Sequence, residues 1–147
     1  MIRQLINFGH NFLVVAIVMA IYVRDWSLIQ LLFFPGLFLV CVNLLWIVTI
    51  LAMLGARFRD LDPLISSTMP MMFFLSPVIY RPEYLPPDSL LIICNPLAYF
   101  IIAIREPLQG IMPLPYVYGG LVLMAMIGWV SAIRLLAHRY SRIAFWL

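Results

Sequence analysis

Lysine is absent from this chain of 147 residues, and charge of either sign is scarce. All nine cations are arginines, six carboxylates oppose them, and charged residues make up 10% of the chain, against roughly one quarter in soluble domains. That shortage excludes a water-soluble globular enzyme, a disordered tail and a nucleic-acid-binding module. A P-loop needs a lysine after its glycine-rich turn to reach the terminal phosphates, so the chain carries no such nucleotide site of its own. Cysteine is nearly absent too. Cys41 lies mid-run and Cys94 in another run near the outer face, which speaks against their pairing; neither has a redox or metal motif around it, and both read as apolar fillers. His10 has no carboxylate or cysteine at ligand spacing, which speaks against a metal site, and His138 among the C-terminal arginines reads as interfacial.

What the chain has in abundance is apolar sequence: 65% of its residues are hydrophobic and its mean hydropathy is +1.07. The charges fall at Arg3, Arg24–Asp25, Arg57–Asp62, Arg81–Asp88, Arg105–Glu106 and from Arg134 to Arg142. Between them run Gln4–Val23, Trp26–Ala56, Pro63–Tyr80, Ser89–Ile104 and Pro107–Ile133. About twenty apolar residues cross the hydrocarbon core as a helix. The second and fifth runs are ample, the first and third are just long enough, and the fourth, at sixteen residues, is short. Phe12–Val23 leads into Arg24, Asp25 and Trp26 rather than a small-residue cleavage site, so it reads as a retained span and not a signal peptide.

Cytoplasmic flanks collect arginine. Placing Arg3, Arg57, Arg59, Arg134, Arg139 and Arg142 on one side leaves Arg24, Arg81 and Arg105 opposite. That division requires Glu83–Glu106 to leave and return to the same outer face. Eight of the eleven prolines lie between Pro77 and Pro115, and broken backbone at membrane depth is tolerated only in protein or beside a wet cavity. The expectation is an all-α polytopic membrane bundle: spans at about 5–23, 28–55, 64–80 and 114–136, a re-entrant or interfacial helical segment over 81–112, and both termini cytoplasmic.

Several motifs then occur in order: Gly9-His10-Asn11, Pro35-Gly36-Leu37, Asn43-Leu44-Leu45-Trp46, Ala56-Arg57-Phe58-Arg59-Asp60-Leu61 and Phe73-Phe74-Leu75-Ser76-Pro77-Val78-Ile79-Tyr80. Asn95-Pro96-Leu97, Arg105-Glu106-Pro107-Leu108-Gln109-Gly110 and Arg142-Ile143-Ala144-Phe145-Trp146 complete the set. Together they resemble the permease subunit of the ABC-2 type exporters of polysaccharides and polyol phosphates, the group that moves O-antigen, capsule and teichoic-acid chains. The family more often has threonine at Ser76 and tryptophan at Tyr80. Its members have six spans, and this chain resembles the last four, which implies either a shortened gene or an internal start at Met1.

The resemblance implies a multi-pass protein of the bacterial cytoplasmic membrane that is not itself an enzyme. A second permease copy would pair with it, and separate ATPase subunits would bind ATP and magnesium and drive export of a lipid-linked glycan. No cofactor is expected on this chain. An ABC-2 permease for drugs or lipids, or a fragment without transport activity, remains the alternative.

Each candidate residue has a plainer reading beside the functional one. Arg57, Arg59 and Asp60 are either a positive-inside anchor with its counter-ion or a cytoplasmic mouth that meets substrate phosphates, which arginine's fork bonds bidentately. Arg3, His10 and Asn11 stand at the head of the first span, as a polar cap or, by the resemblance, as a contact with the ATPase. Tyr80, Tyr84, Tyr99, Phe100, Tyr116 and Tyr118 form an interfacial aromatic belt or stack on sugar rings. By the family analogy Pro82–Gly110 is an outer gate, with Pro77, Tyr80, Tyr84, Asn95, Pro96, Tyr99 and Arg105 as its candidates and Asn95-Pro96 between two short helices. Glu83, Asp88 and Glu106 lack the pattern of a catalytic carboxylate pair. Ala16/Ala20, Ala52/Ala56 and Gly128/Ala132 are spaced for close helix packing, and Asn43, the one amide in the middle of a long span, is expected to face protein.

Overall fold

A computed structural model describes residues 2–22, 28–58, 60–77 and 95–143. Every regular element among them is helical. In chain order these are α1 (Ile2–Tyr22), a 3₁₀ turn (Leu28–Leu32), α2 (Phe33–Arg57), α3 (Leu61–Leu75), α4 (Pro96–Leu108) and α5 (Pro115–Ile143). Two segments, Leu28–Arg57 and Pro115–His138, are long and apolar enough to cross a membrane. Only 17% and 22% of their most apolar windows are buried, whereas a core helix of a soluble protein would be mostly covered. The exposed positions of α2 include Phe34, Phe38, Leu45 and Val48, and those of α5 include Leu123, Met126 and Ile127.

The 3₁₀ turn leads into α2 without a side-chain cap, since Leu32 is already in the right-handed helical region. Pro35 falls in the first turn of α2, where a missing N–H breaks no helical bond. Near its end α2 carries Arg57, whose charge suits a helix C-terminus, and Phe58 then turns extended. A short link leads into α3. That helix, at 15 residues, is about 22 Å long at 1.5 Å per residue and falls short of a full crossing.

The third expected span, to residue 80, ends outside the described residues; within it the helix stops at Leu75 because Ser76 precedes Pro77 and adopts an extended conformation (φ −87°, ψ 149°). A proline disfavours the helical region for the residue before it. One correction concerns α1: the helix runs unbroken from Ile2 through His10 and Asn11, so neither residue caps its start. Asparagine and histidine are indifferent helix formers, not breakers. The fourth uncharged run does contain a helix, α4, which starts at Pro96 and continues past Arg105 to Leu108.

The core is a junction of three helices. Val40 from α2, Ala98, Phe100, Ile102 and Ala103 from α4, and Val117 and Leu121 from α5 form its buried cluster. α2 and α5 run in the same direction along each other. Near their starts, the Tyr118 hydroxyl donates to the Leu32 carbonyl at 3.0 Å. Further along both helices, the Asn43 amide donates to the Leu121 carbonyl at 3.0 Å, and the Trp46 indole then covers Gly128. Two parallel helices need a return path between them. The chain comes back through α3, and α4 packs across the end of the bundle where α2 and α5 begin.

Glycines set how closely these helices approach. A Cβ on Gly36 would stand 2.5 Å from the Ala103 carbonyl oxygen, so α2 and α4 touch backbone to backbone there. The Tyr99 ring lies on Gly120 in the same manner, 2.7 Å from where a Cβ would be. Of the expected small-residue pairs, Gly128 and Ala132 are buried and used, while Ala52 is exposed. Asn43 faces protein, as expected, and is fully buried. Cys41 is exposed on α2.

Candidate functional site

Two places in the bundle gather the candidate residues, and they lie at opposite ends of α2. The first is where α3 meets α4. Asn95 caps α4: its side-chain oxygen accepts from the Leu97 N–H at 3.0 Å, and Pro96 occupies the first turn. Its amide nitrogen donates to the Leu75 carbonyl at 2.9 Å. Leu75 ends α3, so a single side chain ties the end of one helix to the start of the next. Arg105, two turns along α4, donates from Nη1 to the Pro77 carbonyl at 3.3 Å. Ser76, between these ties, returns its hydroxyl to the Met72 carbonyl at 2.7 Å.

Asn95, Pro77 and Arg105 are therefore assembled by the fold, and their visible work is to hold α3 against α4. Asn95 is 5% exposed with both ends of its amide engaged. Replacing it with alanine removes a cap, worth about 1 kcal/mol, and removes the side-chain bond that ties Leu75 to α4, worth another 1 kcal/mol or so. The expected result is a loss of about 2 kcal/mol in thermal unfolding in detergent, with Asn95→Asp intermediate because it keeps only the capping oxygen. An unchanged melting temperature for Asn95→Ala would show that the tie contributes nothing.

α4 ends as firmly as it begins. The Ile111 N–H reaches back to the Glu106 carbonyl at 2.9 Å and the Gly110 N–H to that of Pro107 at 3.0 Å. Gly110 adopts φ 73°, the left-handed conformation that glycine supplies at a helix C-terminus. Pro113 and Pro115 follow and prevent the helix from continuing.

The tyrosines are packed more than offered. Tyr99 covers Gly120 and meets Tyr116 edge to face at 6.4 Å. Tyr118 spends its hydroxyl on Leu32, and Phe100 is buried. Tyr116 keeps the most open ring, at 50% exposure. Pro96 is exposed on the first turn of α4. Tyr80 and Tyr84 lie outside the described residues, as does the helix expected before Asn95.

The second place is the turn between α2 and α3. Arg57, Phe58, Asp60, Leu61 and Leu64 line a concavity of about 490 Å³. The Arg57 guanidinium stands over the Phe58 ring, 5.1 Å from its centre, a cation–π arrangement that orients the charge. Asp60 precedes α3 without using its carboxylate as a cap, and both charged residues are exposed. Arg59 lies outside the described residues. The turn can present the Arg57 charge to an anionic group, with the Asp60 carboxylate beside it as a local counter-charge.

The third candidate set is not brought to either place. His10 and Asn11 are exposed on α1, and Arg3 belongs to the first turn of the same helix. Among the described residues, Phe12 of α1 stacks on Phe33 of α2 at 6.0 Å.

Sequence reasoning did not anticipate the roles of Trp46, Gly120 and Tyr118. Trp46 donates to the Asn43 side-chain oxygen at 3.0 Å and roofs Gly128. Its signal was its place three residues after Asn43, one helical turn away on the same face.

The described chain thus defines an all-helical protein with two segments fit to cross a membrane. No protein-family model matches it, and neither does a curated protein or a solved structure.

Proposed function

We propose that this chain is the membrane permease subunit of an ATP-driven exporter that moves a lipid-linked polysaccharide or polyol phosphate across the bacterial cytoplasmic membrane. The observation that carries the reading is the parallel pair α2 and α5 with α4 packed across their starting end. A permease needs a path that opens at one face while the other is closed. A rigid pair of crossings, a charged turn at one end and a short helix across the other supply those parts. The motifs from Gly9 to Trp146 occur in the order of that exporter family and support the same reading.

In this scheme Arg57, Arg59 and Asp60 stand at the cytoplasmic mouth, and α4 with the residues before it forms the outer closure. The protein crosses the membrane four times, α1 and the uncharged run Pro63–Tyr80, of which α3 forms the greater part, completing the set, and both termini are cytoplasmic. A second copy pairs with it. ATP is bound and hydrolysed by separate subunits, which is consistent with a chain that has no lysine. Phosphate on the lipid carrier is drawn to the arginines of the α2–α3 turn, because a guanidinium fork binds phosphate oxygens in pairs.

The test is restoration of glycan export in cells lacking the chain. Arg59→Ala is expected to lower export by roughly tenfold, the scale of one charge-assisted phosphate contact, with membrane insertion unchanged. Export at the unsubstituted level would remove the phosphate-contact role, and failure of the unsubstituted chain to restore any export would remove the transport assignment.

A further inference from the structure

α4 is apolar on two sides, and only one of them is used within the three-helix core. Ala98, Ile102 and Ala103 are buried against α2 and α5. The other side is grooved. A cavity of about 520 Å³ runs between α3 and α4, walled by Met69, Met72 and Phe73 from α3 and by Leu97, Phe100 and Ile101 from α4. A second, of about 440 Å³, continues along α4 past Ile104 to Leu108 and Gln109. Both are lined by Phe100 and Ile101, so they form one trough. Each part is the size of an ordinary ligand pocket, about 300–1,000 Å³.

The trough has a charge at one end. Arg105 lines the second part, and its Nη1 donates to the Pro77 carbonyl. That bond fixes the guanidinium while its fork has further donors to offer an anion. Beyond it, Gln109 adds an exposed amide. Pro70 stands in the α3 wall and donates no hydrogen bond to the Ser66 carbonyl, so the helix can open slightly toward the trough.

A long apolar trough that ends at an anchored arginine is complementary to an amphiphile with an anionic head. A free phosphate would use the arginine and leave the trough empty, and a zwitterionic lipid would fill the trough with less attraction at its end. We propose that the α3–α4 trough holds one acyl chain of an anionic phospholipid of the bilayer, with its phosphate bound by Arg105. The bound lipid would be a resident of the protein, not its cargo. The proposal depends on the chain lying in a bilayer and not on what it exports.

Native mass spectrometry of the detergent-purified chain, with phosphatidylglycerol or phosphatidylcholine of the same acyl length added, counts the lipid retained per chain. Phosphatidylglycerol should be retained preferentially. Arg105→Gln should lower its retention by about tenfold, to the level of phosphatidylcholine, and Arg105→Lys should keep part of the preference. Ile101→Trp, which fills the trough and leaves the guanidinium in place, should lower retention of both lipids. Leu123→Trp, at an exposed position of α5 that lines neither part of the trough, should change nothing. If Arg105→Gln loses its helicity, Ile101→Trp decides the matter. Equal retention of the two lipids by the unsubstituted chain, or retention indifferent to Ile101→Trp, would overturn the proposal. Preference for a polyprenyl phosphate over phosphatidylglycerol would also overturn it, in favour of a carrier site.

Discussion

Gly36→Leu is expected to separate α4 from α2 and to leave little folded protein. The neighbour that a Cβ would meet at 2.5 Å is a backbone oxygen, that of Ala103 in the middle of α4. A side chain can rotate away from an intruder, whereas a helical carbonyl moves only with its helix. Overpacking a core typically costs about 1–3 kcal/mol. The leucine should exceed that range, because relieving the clash means lifting Ala98, Ile102 and Ala103 out of the buried cluster they share with Val40 and Leu121. Gly36→Ala should show a smaller loss in the same direction. The measurement is thermal unfolding in detergent with the fraction of monodisperse protein. Gly119 supplies the control, since nothing lies within 4 Å of its would-be Cβ, and Gly119→Ala should gain up to about 1 kcal/mol from helix propensity alone. Equal effects at Gly36 and Gly119 would refute the close contact.

Substitution at Asn43 should be the next most damaging, and in an instructive order. Asn43 is fully buried and makes three hydrogen bonds. It donates to Leu39 on its own helix and to Leu121 on α5, and it accepts from the Trp46 indole. Leucine at this position keeps the volume and removes all three. The backbone carbonyls retain their helical bonds, so the main loss is the bridge to α5 and the acceptor for the indole. Interhelical hydrogen bonds of this kind measure about 0.6–2 kcal/mol in membranes, and Asn43→Leu should fall near the upper end. Asn43→Asp should cost more, about 3 kcal/mol, because it keeps the indole's acceptor but loses the donor to Leu121 and places a carboxylate in an apolar core. A double-mutant cycle with Trp46→Phe should return a coupling of about 1 kcal/mol. A cycle with no coupling would mean that the indole bond adds nothing, and a neutral Asn43→Asp would contradict the buried site.

Charge position made much of this architecture legible before any coordinates. Arg57 and Arg134 bracket apolar runs that reappear as α2 and the first two thirds of α5, because a charged side chain is costly in hydrocarbon wherever it falls. The orphan amide of Asn43 likewise announced a protein-facing position. Pro77 is equally visible, and its effect on Ser76 explains why the helix of the third run ends at Leu75. His10 and Asn11 lie inside the expected first span, and of their two readings only the cap fails: a helix needs only backbone bonds to run through polar residues. What composition and spacing could not express is partnership. Periodicity says that Gly36 lies on some face of α2, and nothing in it says that Ala103, sixty-seven residues later, lies against that face. The same holds for Asn95, which reads as a helix start and turns out also to close the end of α3.

In the proposed topology the two long helices cross the membrane the same way, with the α2–α3 turn on the cytoplasmic side and α4 at the other. Cysteine labelling tests it directly, in a background with Cys41 and Cys94 replaced. Single cysteines at Asp60, Gln109 and His138 would be exposed to a membrane-impermeant maleimide, first in intact cells and then after permeabilisation. The account predicts that Gln109→Cys is labelled in intact cells, and that Asp60→Cys and His138→Cys are labelled only once the membrane is opened. Labelling of Asp60→Cys and Gln109→Cys from the same side, or of Asp60→Cys and His138→Cys from opposite sides, would contradict it.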